Sequence, residues 1–145
     1  MAETVHLDVL LVEDNPGDAR LVEHHLNSPA VAHFVDEVTI SHVDSLAPVA
    51  EYSGAAYDVV LLDLGLPEST GLATLDRATE MVDVVPIIVL TGMQDREMAI
   101  EAINRGAQDY LPKEDLDGDR LVRALRYAVV RSRQQRAIQR QTDQM

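Results

Sequence analysis

Short apolar runs alternate with amphipathic stretches along this chain, the pattern of strand-helix-strand units built around a parallel sheet. The clearest strands are Val9 to Val12, Val59 to Leu62 and Ile87 to Leu90, with weaker ones near Val38 to Ser41 and Gln108 to Leu111. Their apolarity is continuous rather than alternating, which means that both faces of the sheet are covered. Between strands, Asn15-Pro16 supplies an N-cap followed by a first-turn proline, after which Leu21, Val22 and Leu26 share a helical face. Further helices are predicted around Ser45 to Tyr52, Gly71 to Met81, Asp95 to Asn104 and from Asp119 onward. Gly106 follows the fourth helix where a left-handed cap residue belongs. Five strands alternating with five helices predict an α/β fold with a doubly wound parallel sheet. There are no internal repeats and no low-complexity segment.

The last helix changes character along its length. Leu121, Val122, Leu125 and Val129 form a face that packs on the sheet, but the pattern fades after Val130. Residues 131 to 140 have good helix formers and almost no apolar face, so they cannot bury themselves against their own domain. The division expected is a domain over 1–130 and a helical extension over 131–145. A signalling linker is favoured over a basic arm reaching the acidic body of a second copy, because no heptads are sustained.

A chain of 145 residues with 46% hydrophobic content suits one domain with one core. Absence of cysteine removes disulfides, thiolate metal sites and thiol nucleophiles. No basic region precedes an apolar run at the N-terminus, and no apolar stretch is long enough to span a bilayer, so a soluble cytoplasmic protein is expected. Charge is the most unusual property. The net value is −13, and of 12 basic residues only Lys113 is lysine. Seven arginines and no acid lie between Arg120 and Arg140, so that segment carries +7 and the remainder −20. An acidic body disfavours direct nucleic-acid or anionic-membrane binding. It also suggests adaptation to high salt, as in halophiles, where self-repulsion is screened.

In doubly wound sheets the ligand site lies beyond the carboxyl ends of the strands. Here the first strand runs into Glu13-Asp14, the third ends in Asp63, the fourth in Thr91, and Lys113 follows the fifth. Three clustered carboxylates repel one another unless a cation neutralises them, and oxygen ligands suit a hard ion, Mg2+ best, with Mn2+ as a substitute. An aspartate beside that ion can act as nucleophile toward a phosphoryl group. A lysine and a hydroxyl can hold the remaining phosphoryl oxygens, since such transfer is mostly positioning and charge neutralisation. Lys113 carries a further argument: in a chain that otherwise uses arginine, the one lysine stands where a compact charge on phosphate is wanted.

From roughly Leu7 to Val130 the sequence resembles response-regulator receiver domains, of the chemotaxis-regulator-like type. Glu13-Asp14 looks like the family's metal-binding pair, with Asp14 as direct ligand and Glu13 as the outer, water-mediated one; glutamate where the family often has aspartate is a mild departure. Asp63, with Pro67 and Gly71 following at the family spacing, resembles the phosphoacceptor, and the Gly65 carbonyl would be a backbone metal ligand. Thr91 resembles the switch hydroxyl that meets the phosphoryl group. Gly106 to Lys113 resembles the fifth-strand motif, in which Lys113 binds phosphoryl oxygen, Pro112 would make the preceding peptide cis, and Tyr110 is either the switch aromatic or a half-buried packing residue. The intervals, 28 residues from Asp63 to Thr91 and 22 from there to Lys113, fit the family. The resemblance implies a flavodoxin-like strand order of 2-1-3-4-5 and a phosphoacceptor switch rather than a metabolic enzyme. Its implied partners are a histidine kinase or histidine phosphotransfer protein upstream, and a downstream protein or an output domain of its own. A homodimer linked to phosphorylation is a further option.

Other classes fit less well. A haloacid-dehalogenase-type phosphatase needs a second aspartate where Gly65 stands, and a flavodoxin-type phosphate loop is incompatible with Glu13-Asp14-Asn15-Pro16. A degenerate, purely protein-binding receiver is discouraged because every phosphorylation position is intact. A receiver excised from a larger sensor kinase remains open. His6, His24, His25, His33 and His42 share no motif, so surface or packing roles are expected for all five.

Overall fold

Five parallel strands form one sheet in the order β2-β1-β3-β4-β5. The computed structural model describes residues 6–52, 57–66, 71–82, 85–92 and 96–143. In chain order the elements are β1 (His6–Val12), α1 (Pro16–Leu26), α2 (Pro29–Ala32), β2 (Glu37–Val43), a 3₁₀ turn (Ala47–Tyr52), β3 (Val59–Asp63), α3 (Leu72–Met81), β4 (Ile87–Thr91), α4 (Arg96–Asn104), β5 (Asp109–Pro112), a 3₁₀ turn (Lys113–Asp115) and α5 (Gly118–Asp143). Register places Val9 between Ile40 and Val59, and Leu62 beside Val89.

The continuous apolar strands follow from two-sided burial. Alternate side chains of each strand point to opposite faces. Leu7, Val9, Leu11, Val59, Leu61, Ile88 and Leu90 pack in one cluster with Val22 and Leu26 of α1 and Leu121 and Leu125 of α5. Leu10, Val12, Val60, Leu62, Ile87 and Val89 join the other, with Leu75 of α3 and Ala102 of α4. Every residue of β3 and β4 is buried, whereas the edge strand β2 has none that is. Polar Glu37, Thr39 and His42 fit that edge, which explains why its pattern is weak in the sequence.

Three local expectations need correction. The segment predicted as a helix from Ser45 to Tyr52 is a 3₁₀ turn starting at Ala47. Val49 N–H bonds back to the Leu46 carbonyl at 2.9 Å, and both side chains are buried; at three residues per turn they lie on the same side. A short helix α2 begins at Pro29 after Ser28 and buries Val31, an element with no counterpart in the predicted set. All peptide bonds among the described residues are trans, including the one before Pro112. Pro112 has φ −67° and ψ 132° and pairs with Thr91, so it continues the extended strand into Lys113, where a tight turn would break the register. Asp95, the expected start of the fourth helix, lies outside the described residues.

Two glycines are required by their surroundings. Gly106 has φ 112°, the left-handed ending anticipated after α4. Gly118 opens α5 against Ser28, where an added β-carbon would lie 2.6 Å from the Ser28 hydroxyl oxygen. Beyond it, α5 buries Leu121, Ala124, Leu125, Ala128 and Val129, and at Val130 the side chain is 54% exposed. The helix backbone continues to Asp143, 26 residues in all, or about 39 Å at 1.5 Å per residue. No helix among the described residues is long and apolar enough to cross a membrane.

Candidate functional site

The parallel arrangement brings four strand ends to one edge, and each delivers a chemically active side chain. Glu13 and Asp14 follow β1, Asp63 ends β3, Thr91 ends β4 and Lys113 follows β5. Glu13 is held at three points. Its N–H continues the ladder to the Val43 carbonyl (3.0 Å), and its Oε2 accepts from the Asn15 N–H (3.3 Å). Its own carbonyl accepts from His42 Nε2 (2.7 Å). Asn15 then caps α1, its Oδ1 accepting from the Asp18 N–H at 3.0 Å.

The resulting crevice is acidic and only partly open to water. Glu13 is fully buried, Asp63 and Thr91 are each 6% exposed, and Asp14 faces solvent. Carboxylate oxygens of Glu13, Asp14 and Asp63 lie within 4.8 Å of one another. Lys113 enters this group as the countercharge. Its Nζ makes ion pairs with Glu13, with Asp63 Oδ1 at 3.1 Å and with Asp18 Oδ2 at 3.0 Å. A β-carbon on Gly65 would lie 3.7 Å from Asp63 Oδ2, an ordinary van der Waals contact beside that oxygen.

Burial and the neighbouring Asp63 carboxylate push the Glu13 pKa up to about 7, with Lys113 pulling the other way. Burial also pulls Lys113 downward, but the carboxylates of Glu13, Asp18 and Asp63 outweigh it and hold the ammonium above its ordinary value. One lysine does not neutralise this many acids. The donor set is oxygen only, and Glu13 Oε1, buried beside the ammonium, has no directed hydrogen bond. These residues fit a hard divalent cation.

The structure thus brings together Glu13, Asp14, Asp63 and Lys113, with Thr91 on the same strand edge. Tyr110 stands further back: it pairs with Val89, two rungs from Thr91, and is half-buried against the cluster on the α3 and α4 side. Pro67 lies outside the described residues. Gly71 caps the start of α3, and its N–H bonds the Leu64 carbonyl at 2.9 Å. Sequence reasoning missed Asp18, whose position in the first turn of α1 carries a readable signal, and His42, whose bond to Glu13 does not. Of the other histidines, His6 meets Asp8, Glu37 and Thr39 on the β1–β2 edge, and the His24 and His25 rings touch edge to face. Among the described residues no histidine joins a metal-capable cluster.

Comparison with known proteins agrees with this geometry. The family model for the response regulator receiver domain matches residues 9–126. The chain is 32% identical over 128 residues to the transcriptional regulatory protein ZraR of Salmonella typhimurium, covering 88% of this chain and 27% of that protein. It is 30% identical over 125 residues to the cell cycle response regulator CtrA of Brucella ovis, covering 86% and 51%. It therefore spans between about a quarter and a half of these relatives' length. Its fold matches the signal receiver domain of an HD domain-containing protein from Pseudomonas fluorescens, with a TM-score of 0.74 at 24% identity over 94% of this chain and 96% of that one. Strand order, the acidic crevice and the family match converge: the chain belongs to the response regulator receiver domains, the phosphorylation-activated modules of two-component signalling.

Proposed function

We propose that Asp63 is the phosphoacceptor and that Glu13, Asp14, Asp63 and the Gly65 carbonyl hold Mg2+, for which Mn2+ can substitute. The observation that carries the reading is the convergence of three carboxylates and the chain's one lysine at the carboxyl edge of the sheet. When bound, the cation neutralises charge on the phosphoryl oxygens and on the attacking carboxylate. An Asp63 oxygen attacks phosphorus, the phosphorus–nitrogen bond of a phosphohistidine breaks, and the ring, already protonated on its other nitrogen, leaves as neutral imidazole. Lys113 and Thr91 then hold phosphoryl oxygens. Water later attacks the same phosphorus, breaking the acyl phosphate to regenerate the carboxylate and release inorganic phosphate.

The upstream partner in this reading is a histidine kinase or phosphotransfer protein, and output passes to a downstream protein or a tethered domain, as a chemotaxis-type or a transcriptional regulator would do. Thr91 moving toward the phosphoryl group and Tyr110 swinging into the vacated space would link phosphate to the α4-β5-α5 surface. The protein acts as a cytoplasmic switch. Residues 1–130 form the switch and 131–145 a linker, supported by the fading of the apolar pattern after Val130. The acidic body supports operation at high salt.

Incubation with Mg2+ and acetyl phosphate tests the core of this proposal. One phosphoryl group should enter the protein, be lost on chelation beforehand, and be absent in Asp63→Asn. Label on another residue, or incorporation indifferent to chelator, refutes it.

A further inference from the structure

Lys113 is surrounded by one more acid than phosphoryl transfer to Asp63 uses. An ammonium has three N–H donors, and here three carboxylates face them: Glu13, Asp63 at 3.1 Å and Asp18 at 3.0 Å. Asp18 comes from the first turn of α1, 95 residues away in sequence, with its own N–H fixed by Asn15. Its side chain is 40% exposed, against 8% for Asp63 and none for Glu13.

We propose that Asp18 is a positioning residue that competes with the phosphoryl group for Lys113 and so weakens the site's hold on phosphate; this rests on Asp63 being the phosphoacceptor. When Asp63 carries a phosphoryl group, Lys113 must turn one donor from a carboxylate to a phosphoryl oxygen. Releasing Glu13 would strand a fully buried charge, which is costly. Releasing Asp18 costs less, because water reaches its carboxylate. The Asp63 contact passes with its carboxylate to the acyl phosphate, and Asp18 is the exposed competitor that remains within reach of the same ammonium. Its negative charge then remains beside the ammonium that the phosphoryl dianion has just engaged. Both effects disfavour the phosphorylated form relative to the free one. Asparagine at this position keeps the shape and the Asn15 cap but removes the charge and the strong competing contact.

The test is calorimetric titration of wild type, Asp18→Asn and Asp18→Glu with beryllofluoride in saturating Mg2+, alongside Mg2+ alone. Asp18→Asn should bind beryllofluoride about two- to fivefold more tightly, the upper range of one partly exposed ion pair. Asp18→Glu should stay near wild type, and affinity for Mg2+ alone should not rise in either variant. At 1 M KCl, where distant charges are screened, part of the gain should persist because a direct contact has been removed. Equal or weaker beryllofluoride binding by Asp18→Asn overturns the inference, as does a gain that vanishes entirely at 1 M KCl. If the wild-type protein takes no phosphate at Asp63 from acetyl phosphate, the phosphoacceptor reading fails and this one with it. Phosphate at Asp63 with an indifferent Asp18→Asn removes this inference alone.

Discussion

Replacing Glu13 by glutamine should make the metal-free protein more stable at alkaline pH, although it removes one partner of an ion pair. Glu13 is fully buried, and its pKa stands at about 7 against an ordinary value of 4.5. For an acid whose folded pKa is raised, the unfolded chain ionises first. Below pH 4.5 both states hold the proton and the group is neutral to stability. Between 4.5 and 7 only the folded state holds it, so stability falls as pH rises, and above 7 the loss is complete. At 1.36 kcal/mol per unit that loss is about 3 kcal/mol, to order of magnitude. Glutamine mimics the protonated acid and does not titrate. In EDTA at pH 8, Glu13→Gln should therefore unfold at a temperature about 10 °C above wild type, narrowing to little difference near pH 4.5. Comparing the two proteins by circular-dichroism melts cancels every carboxylate they share. Saturating Mg2+ should reverse the order at pH 8, because only the ionised wild type offers the full donor set. A glutamine variant that melts at or below wild type in EDTA at pH 8 would show that Lys113 already compensates the buried charge.

Further expectations can be checked with the same material. Thr91→Ala should leave Mg2+ affinity unchanged while abolishing phosphorylation-dependent partner binding; an intact phospho-dependent response counts against the switch. Gly118→Ala should lower the melting temperature by a few degrees, since a β-carbon 2.6 Å from the Ser28 hydroxyl overpacks the junction by about 1–3 kcal/mol, more than alanine's helix preference of up to about 1 kcal/mol returns. Ser28→Gly should relieve it. Deleting residues 132–145 should leave Asp63 phosphorylation intact and shift the melting temperature by less than about 3 °C, as expected for a segment whose sequence has almost no apolar face; a larger loss places this segment in the core. The melting midpoint should rise from low to molar KCl as repulsion in the −13 chain is screened.

How much of this molecule can be read without its structure depends on the range of the signal. The central strands β3 and β4 are legible almost to the residue because each buries both faces, which demands an unbroken apolar run. β2 runs from Glu37 to Val43, longer than its apolar pattern suggests, because an edge strand tolerates Glu37 and His42 on water-facing positions. The 3₁₀ turn at Ala47 was misread because buried residues three apart satisfy helical periodicity as well as 3₁₀ spacing. Site residues follow the same rule. Glu13, Asp14, Asp63, Thr91 and Lys113 all stand at or just past strand ends, and topology alone carries strand ends to a common edge.

Side-chain contacts made across the crevice are a different matter. Asp18 reaches Lys113 because the first turn of α1 points its N3 carboxylate back over the sheet edge, the geometry that also lets acids favour a helix N-terminus. That generic role hides the specific one: nothing in the interval between the two residues marks them as partners. His42 is hidden more deeply, because its partner is a backbone carbonyl, which carries no sequence signature. Past Val43 the chain leaves the edge of the sheet, and the Glu13 carbonyl takes its hydrogen bond from the His42 ring. Glu13 is thus held on both sides of its backbone, by the ladder to Val43 on its N–H side and by an imidazole on its carbonyl side. Residue types and spacing single out the candidate groups for the chemistry; the groups that hold them still become visible only when the backbone's own donors and acceptors are followed to their partners.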